Sequence, residues 1–278
     1  MSEPIETTQR AQISPWREVG IDIAQALRFY SRLPVPALPW EDNPHALPDF
    51  SRLTRVVPLA GLVLGLLPAL VLTGALRLDL GPWLAAILAV GIMTLTTGAF
   101  HEDGLADTAD SCGGVTRERR LEIMRDSRIG SFGAAALFLA LALRITTLAT
   151  LILRTDAIAT AAAILVTASL SRTAGLIPLV FLPPARLDGA SYAVGQPSRE
   201  GLWFATGLAI AAALALSALG GLPVSGLFLM IAFSALCGYA MTLFSRRHIQ
   251  GQTGDIAGAT QQLAEIAALI GLLTVIGT

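Results

Sequence analysis

Apolar residues in this chain gather in long blocks; they do not recur at the 3.6- or 2-residue period of a half-buried helix or strand. The blocks lie at about 56–76, 83–100, 132–153, 157–182, 202–219, 222–244 and 263–277. All but the short last one approach or exceed the roughly 20 residues that carry a helix across a bilayer. The pattern predicts an all-α fold, a polytopic integral membrane bundle of about seven transmembrane helices. Pro178, near the end of the long fourth block, predicts a kink or break there. Upstream, residues 1–13 are polar, carry no cleavable signal pattern and are predicted to be disordered. Ser14-Pro15 suits an N-cap followed by proline at the first helical position. Trp16, Val19, Ile23, Leu27 and Tyr30 then recur at helical spacing, with Arg17, Glu18, Asp22, Arg28 and Arg32 on other faces. That is the stripe of an amphipathic helix in the membrane interface, although a helix packed on the bundle would show it too. Pro34, Pro36, Pro39, Pro44 and Pro48 make the following stretch an irregular linker. The chain thus divides into 1–13, an interfacial helix with its proline-rich linker at 14–55, and the bundle at 56–278.

Composition agrees with the membrane reading: 54% of residues are hydrophobic and 14% charged, against about 25% charged in soluble domains. The net charge of −1 leaves no basic field for nucleic acid. All 19 basic residues are arginine, which excludes a lysine Schiff base or a P-loop lysine. Genomic base composition explains the bias as well as any function, and the exclusion holds either way. With seven spans, the N-terminus and loops 2–3, 4–5 and 6–7 share one side and carry 15 arginines, while the other side has only Arg77 and Arg154. The positive-inside rule makes the rich side cytoplasmic and puts the C-terminus opposite. Cys112 and Cys237 form neither a metal-ligand spacing nor a disulfide framework.

The polar clusters fall in those arginine-rich loops. His101-Glu102-Asp103-Gly104-Leu105-Ala106-Asp107-Thr108-Ala109-Asp110 follows the second span directly. If the helix continues past Phe100, then Asp103, Asp107 and Asp110 share one face at i, i+4 and i+7. Stacked carboxylates repel, and a divalent cation relieves the repulsion. Carboxylate oxygens without paired His or Cys favour Mg²⁺ or Mn²⁺ over zinc. Glu102 points off this face and is left outside the shell. A solvated acidic loop is the bland alternative, and the helical spacing and adjacent glycine argue against it. Next, Arg117 to Arg125 fits a short amphipathic helix with Leu121 and Met124 inward. Asp126-Ser127-Arg128-Ile129-Gly130-Ser131 then turns into the third span. Backbone N–H groups there, with Arg125 and Arg128, suit either a phosphate or anionic lipid.

Pro183-Pro184-Ala185-Arg186-Leu187-Asp188-Gly189 and Arg246-Arg247-His248-Ile249-Gln250-Gly251-Gln252-Thr253-Gly254-Asp255 are the remaining loop clusters. In the latter, Gly251 and Gly254 permit close backbone approach to a ligand, and Asp255 offers a further oxygen. Arg172 lies about ten residues inside its span, some 15 Å at 1.5 Å per residue. At that depth an unpaired arginine costs at least about 2.5 kcal/mol, so Arg172 and Arg144 must face a polar cavity or a buried partner. Carboxylates for a divalent ion and arginines for phosphates describe phosphoryl or nucleotidyl transfer to a hydroxyl. An ion-coupled transporter would instead place acids near the midplane, and Glu265 is the only acid within a span.

At these residues the chain resembles the cobalamin synthase family of adenosylcobinamide-GDP ribazoletransferases. The matching pieces are Phe29-Tyr30-Ser31-Arg32-Leu33-Pro34-Val35-Pro36, His101–Asp110, Leu121–Gly133 and Gly251–Ala259. The string His-x-Asp-Gly-Leu-Ala-Asp-Thr-x-Asp, with Met-Arg-Asp-Ser-Arg-Ile-Gly, is the most specific. Gln252 stands where a second glycine is expected and Glu102 where an apolar residue is common, so Glu102 reads as dispensable. The resemblance implies a membrane transferase in which α-ribazole or its 5′-phosphate attacks the cobinamide-side phosphate of adenosylcobinamide-GDP. GMP leaves, and adenosylcobalamin or its 5′-phosphate forms. It further implies Mg²⁺ as cofactor, an inner-membrane location, small-molecule substrates with membrane lipid around the bundle, and no nucleic acid. It allows a homo-oligomer or a complex with other corrinoid-pathway proteins.

On this reading His101, Asp103 and Asp107 are catalytic, with His101 or an aspartate as general base. Asp103, Asp107 and Asp110 hold Mg²⁺. Arg125, Asp126, Arg128, Arg172, Arg186, Arg247, Thr253 and Asp255 bind substrate. A lipid-acting transferase is the runner-up. A CDP-alcohol phosphotransferase, however, expects arginine where Asp107 follows Ala106, and a polyprenyl transferase expects a second aspartate motif.

Overall fold

A computed structural model describes residues 14–44, 47–188 and 190–277; the predicted disorder of 1–13 lies outside them. Its helices are α1 (Pro15–Tyr30), α2 (Phe50–Leu53), α3 (Val57–Arg77), α4 (Gly81–Thr97), α5 (Phe100–Asp110), α6 (Arg117–Ile123), α7 (Ser131–Arg154), α8 (Ala157–Phe181), α9 (Ala190–Ala193), α10 (Arg199–Leu219), α11 (Val224–His248) and α12 (Gly254–Leu273). The described residues contain no strand beyond an isolated bridge between Pro184 and Gln252. Six of the helices are long and apolar enough to cross a membrane, and α4 with α5 makes a seventh, bent pair. The chain is a multi-pass membrane protein built as an all-α bundle.

Burial orders the bundle. The apolar windows of α8 and α12 are 83% and 72% buried, against 22% to 33% for α7, α10 and α11. Lipid is as apolar as leucine, so close backbone packing, and not water exclusion, holds such helices together. Gly61 and Gly65 on α3 meet Ala168 on α8 so closely that a Cβ at Gly61 would lie 2.5 Å from the Ala168 carbonyl. Outside, Leu66, Leu70, Ile87, Phe138, Phe204 and Leu236 are exposed to the surroundings of the bundle.

Four expectations need correction. The second span does not run straight into the aspartates: Gly98 and Ala99 both adopt left-handed backbone angles (φ 63° and 56°), and α5 leaves α4 at 88°. Two such residues cannot extend a right-handed helix. With 17 residues, α4 is about 26 Å long at 1.5 Å per residue and makes most of the crossing alone. The polar α5 lies across that end of the bundle. Of the kink or break expected at Pro178, the break does not occur, since α8 continues to Phe181. The last span begins at Gly254, nine residues before the predicted 263, because Thr253 caps the Ile256 N–H and a polar face can be buried inward. Arg246, Arg247 and His248 belong to the last turn of α11, not to a loop.

The amphipathic helix forms as expected, with Ser14 at its N-cap position though its hydroxyl makes no cap bond. Its C-terminal half packs inward through Ala26 and Tyr30, while Trp16 stays 86% exposed. The loops predicted to share one side do so. Ala185 N–H donates to the Gln252 carbonyl (2.9 Å) and Gln252 N–H to Pro183 (2.8 Å). Arg117 reaches the Ile249 carbonyl (2.9 Å) and Arg120 that of His248 (2.9 Å). Phe50 N–H, from the N-terminal segment, bonds the Val194 carbonyl (2.9 Å).

Candidate active site

The site is built where α5 crosses α12. A Cβ on Gly104 would stand 2.9 Å from the Asp255 carbonyl and 3.3 Å from Gly258 Cα, and Gly258 in turn faces His101 and Gly104. Two glycines thus let the helices touch backbone to backbone, which sets the acids of α5 against the first turn of α12. Asp103 is exposed and Asp107 half-buried on α5. Asp255 follows the Thr253 cap, and Arg186, from the segment after α8, reaches it at 3.5 Å. Arg186 keeps a buried Nη1 without a partner among the described residues.

Charge is unbalanced here. Burial first, then Asp103, Asp255 and Asp110, pushes the Asp107 carboxyl up to about 7, and Arg186 offsets this only in part. The excess negative charge suits a hard cation. No group of three His, Cys, Asp or Glu side chains among the described residues is arranged to hold a metal ion by itself. That does not disqualify Mg²⁺, which usually takes one or two carboxylates and completes its shell with waters and substrate phosphates.

Asp110 is engaged elsewhere. One carboxylate oxygen accepts from Gly130 N–H (2.7 Å) and the other from Gly133 N–H (2.8 Å), at the N-terminus of α7. The anion that this helix start attracts is therefore part of the chain, where the sequence suggested a substrate phosphate. Gly130 and Gly133 lack the Cβ that would collide with that carboxylate. Asp110→Ala is expected to cost about 0.5–2 kcal/mol of stability, as for a lost helix cap, read as a lower melting temperature in detergent. Unchanged melting with abolished turnover would instead make Asp110 a ligand.

The other predicted residues are scattered. Arg125 pairs with Asp188. Arg128 pairs with its neighbour Asp126 at 2.6 Å, and its hydrogen bonds hold the Asp126 carboxyl down at about 2. Both pairs are exposed or nearly so, and Arg247 is exposed on α11. Thr253 spends its hydroxyl on the α12 cap. Gly251 approaches backbone, not ligand: a Cβ there would lie 2.6 Å from Ala185 Cα. His101 is buried at 4% exposure, its ring parallel to Tyr30 at 5.8 Å. Arg172 is buried too, donating to the Ala168 carbonyl (3.1 Å) and to Met93 Sδ (3.6 Å).

Arg144 takes the structural alternative. It donates to Glu265 (3.0 Å), Glu102 (2.8 Å) and Gln262 (3.3 Å). Glu102 also accepts from Thr94 (3.0 Å), so the residue read as dispensable closes a buried ion network. The missed signal was chemical: a buried arginine is stabilised by carboxylates, and Glu102 and Glu265 both go to Arg144, while Arg172 turns to a backbone carbonyl and a thioether.

A family model described as cobalamin-5-phosphate synthase matches residues 22–273. The chain belongs to that family. The family assignment is reinforced by curated relatives named adenosylcobinamide-GDP ribazoletransferase. One from Azorhizobium caulinodans is 53% identical over 256 residues, covering 91% of this chain and 95% of its own. Another from Xanthobacter autotrophicus is 47% identical, covering 92% and 96%. A third from Rhizobium etli is 43% identical, covering 93% and 98%. No solved structure matches the chain. Within this family chain, the α5 acids and the α12 N-terminus bring carboxylates together with a partly unpaired arginine, Arg186.

Proposed function

We propose that this chain joins α-ribazole, or its 5′-phosphate, to adenosylcobinamide-GDP. A hydroxyl of the ribose attacks the cobinamide-side phosphorus, a new P–O bond forms, the bond to GMP breaks, and the hydroxyl proton passes to a carboxylate. The observation that carries the reading is the convergence of Asp103, Asp107, Asp255 and Arg186 at the α5–α12 crossing, in a chain of this family.

Asp103 and Asp107 would hold Mg²⁺ together with phosphate oxygens. The cation would neutralise the pyrophosphate and stabilise the departing GMP. Arg186, with its spare Nη1 donor, orients the phosphate. Asp255 anchors Arg186, and the acidic cluster takes the proton. The positive-inside bias supports a cytoplasmic orientation of this face with the C-terminus opposite, in a bundle assigned on this reading to the inner membrane. Membrane lipid surrounds it, and a homo-oligomer or a complex with neighbouring corrinoid enzymes is compatible with the free apolar faces.

The test is release of GMP from adenosylcobinamide-GDP by the detergent-purified chain, with α-ribazole and with or without Mg²⁺. Release only with both is expected; Mg²⁺-independent release removes the cation from the mechanism. Because Asp107 is protonated below about 7, the Mg²⁺ concentration for half-maximal rate should rise as pH falls through that value. A flat requirement from pH 6 to pH 8 would exclude Asp107 as a ligand.

A further inference from the structure

Beside the acids, bounded by the same two helices, opens a cleft whose empty space, counted out to open solvent, is about 540 Å³. Its walls include Phe29, Tyr30, Phe50, Phe100, His101 and Arg172. The Tyr30 and His101 rings lie parallel, 6° apart. Phe29 meets Tyr30 and Phe100 edge-on, at 5.0 and 5.6 Å. Such a lining receives a flat aromatic ring.

Arg172 is anomalous in that wall. Arg144, also buried, has two carboxylates. Arg172 has none within ion-pair distance among the described residues, and its buried Nε has no partner. A cation left unpaired beside an apolar cleft points to a ligand that carries an anion. Gln261, also in the wall, is already committed: its amide donates to Ser171 (3.1 Å) and Glu265 (2.8 Å), and its carbonyl accepts from Gln262 (3.1 Å).

Resting on the proposed function, we infer that this cleft binds the acceptor, with the benzimidazole of ribazole among the aromatic rings and its 5′-phosphate on Arg172. The alternative aromatic base, the guanine of the activated substrate, presents amide and amino groups that must be hydrogen-bonded when buried. Apart from Arg172, the cleft offers only the Tyr30 hydroxyl and the His101 ring without a hydrogen bond among the described residues, fewer groups than a guanine edge must satisfy. Dimethylbenzimidazole has no such edge. Since α5 and α12 both bound the cleft and carry the acids, the bound acceptor has its ribose beside the reacting phosphate.

Equilibrium binding of α-ribazole and of α-ribazole 5′-phosphate to the full-length protein, without corrinoid, tests this, together with the KM of each substrate. Val194→Trp fills the cleft from a turn residue that lines it. It should weaken both acceptors by about tenfold or more and leave the KM for adenosylcobinamide-GDP within about twofold. Arg172→Gln should weaken the 5′-phosphate by about tenfold and α-ribazole much less. Should Arg172→Gln not fold, Val194→Trp decides. A rise in the KM for adenosylcobinamide-GDP alone, or no change in either substrate, overturns the inference. So does competition by phosphatidylglycerol in nanodiscs, which would make the cleft a lipid headgroup site. Absence of GMP release by the wild-type protein would instead refute the functional assignment.

Discussion

Asp107→Asn should abolish most turnover, by about a hundredfold or more, while making the Mg²⁺-free protein more stable. Both effects come from one carboxylate. In the folded chain it is half-buried among Asp103, Asp255 and Asp110 and titrates at about 7, against an ordinary value near 4. A folded-state pKa raised in this way means the native protein holds the proton more tightly than the unfolded chain. Stability therefore falls as pH rises from about 4 to about 7, and the penalty is complete above 7. Asparagine carries no such penalty. Because Asp107 is partly solvated, the gain at pH 8 is discounted to on the order of 1 kcal/mol. GMP release and thermal unfolding at pH 8, measured on the same detergent preparation, check both halves. Normal turnover at limiting Mg²⁺ would remove Asp107 from the chemistry. A loss of activity together with a loss of stability would make it structural.

The second large effect is on folding. Arg144→Met should destabilise the protein by about 3–5 kcal/mol, because it strands two buried carboxylates. Arg144 lies 2.8 Å from Glu102 and 3.0 Å from Glu265, and all three side chains are at most 10% exposed. The network ties α5 to α7 and α12, and through Thr94 to α4. The variant should be recovered poorly and melt early by size-exclusion in detergent. Neutralising both acids as well, in Glu102→Gln/Arg144→Met/Glu265→Gln, should restore much of the loss, since no buried charge then lacks its partner. An Arg144→Met protein that melts like wild type would show the network to be solvated in solution.

Hydropathy alone located nearly every crossing, because a bilayer core accepts long apolar helices and little else. The arginine bias likewise put the loop clusters on one side, and the structure ties those loops together. Local spacing also placed Asp103, Asp107 and Asp110 on a single helix. It did not reveal what each would touch. Asp110 faces a helix start 20 residues away in sequence, Asp255 joins the acids only because Gly104 and Gly258 allow contact, and Glu102 enters an ion network only because Arg144 is buried beside it. The 88° turn at Gly98 and Ala99 swings α5 out of line with the second span, and hydropathy is blind to it since the apolar run ends at Phe100 whether the backbone bends there or continues straight. Membership of a span depends on the composition of a segment. The identity of a carboxylate's partner depends on which distant helices meet, and that is a property of packing.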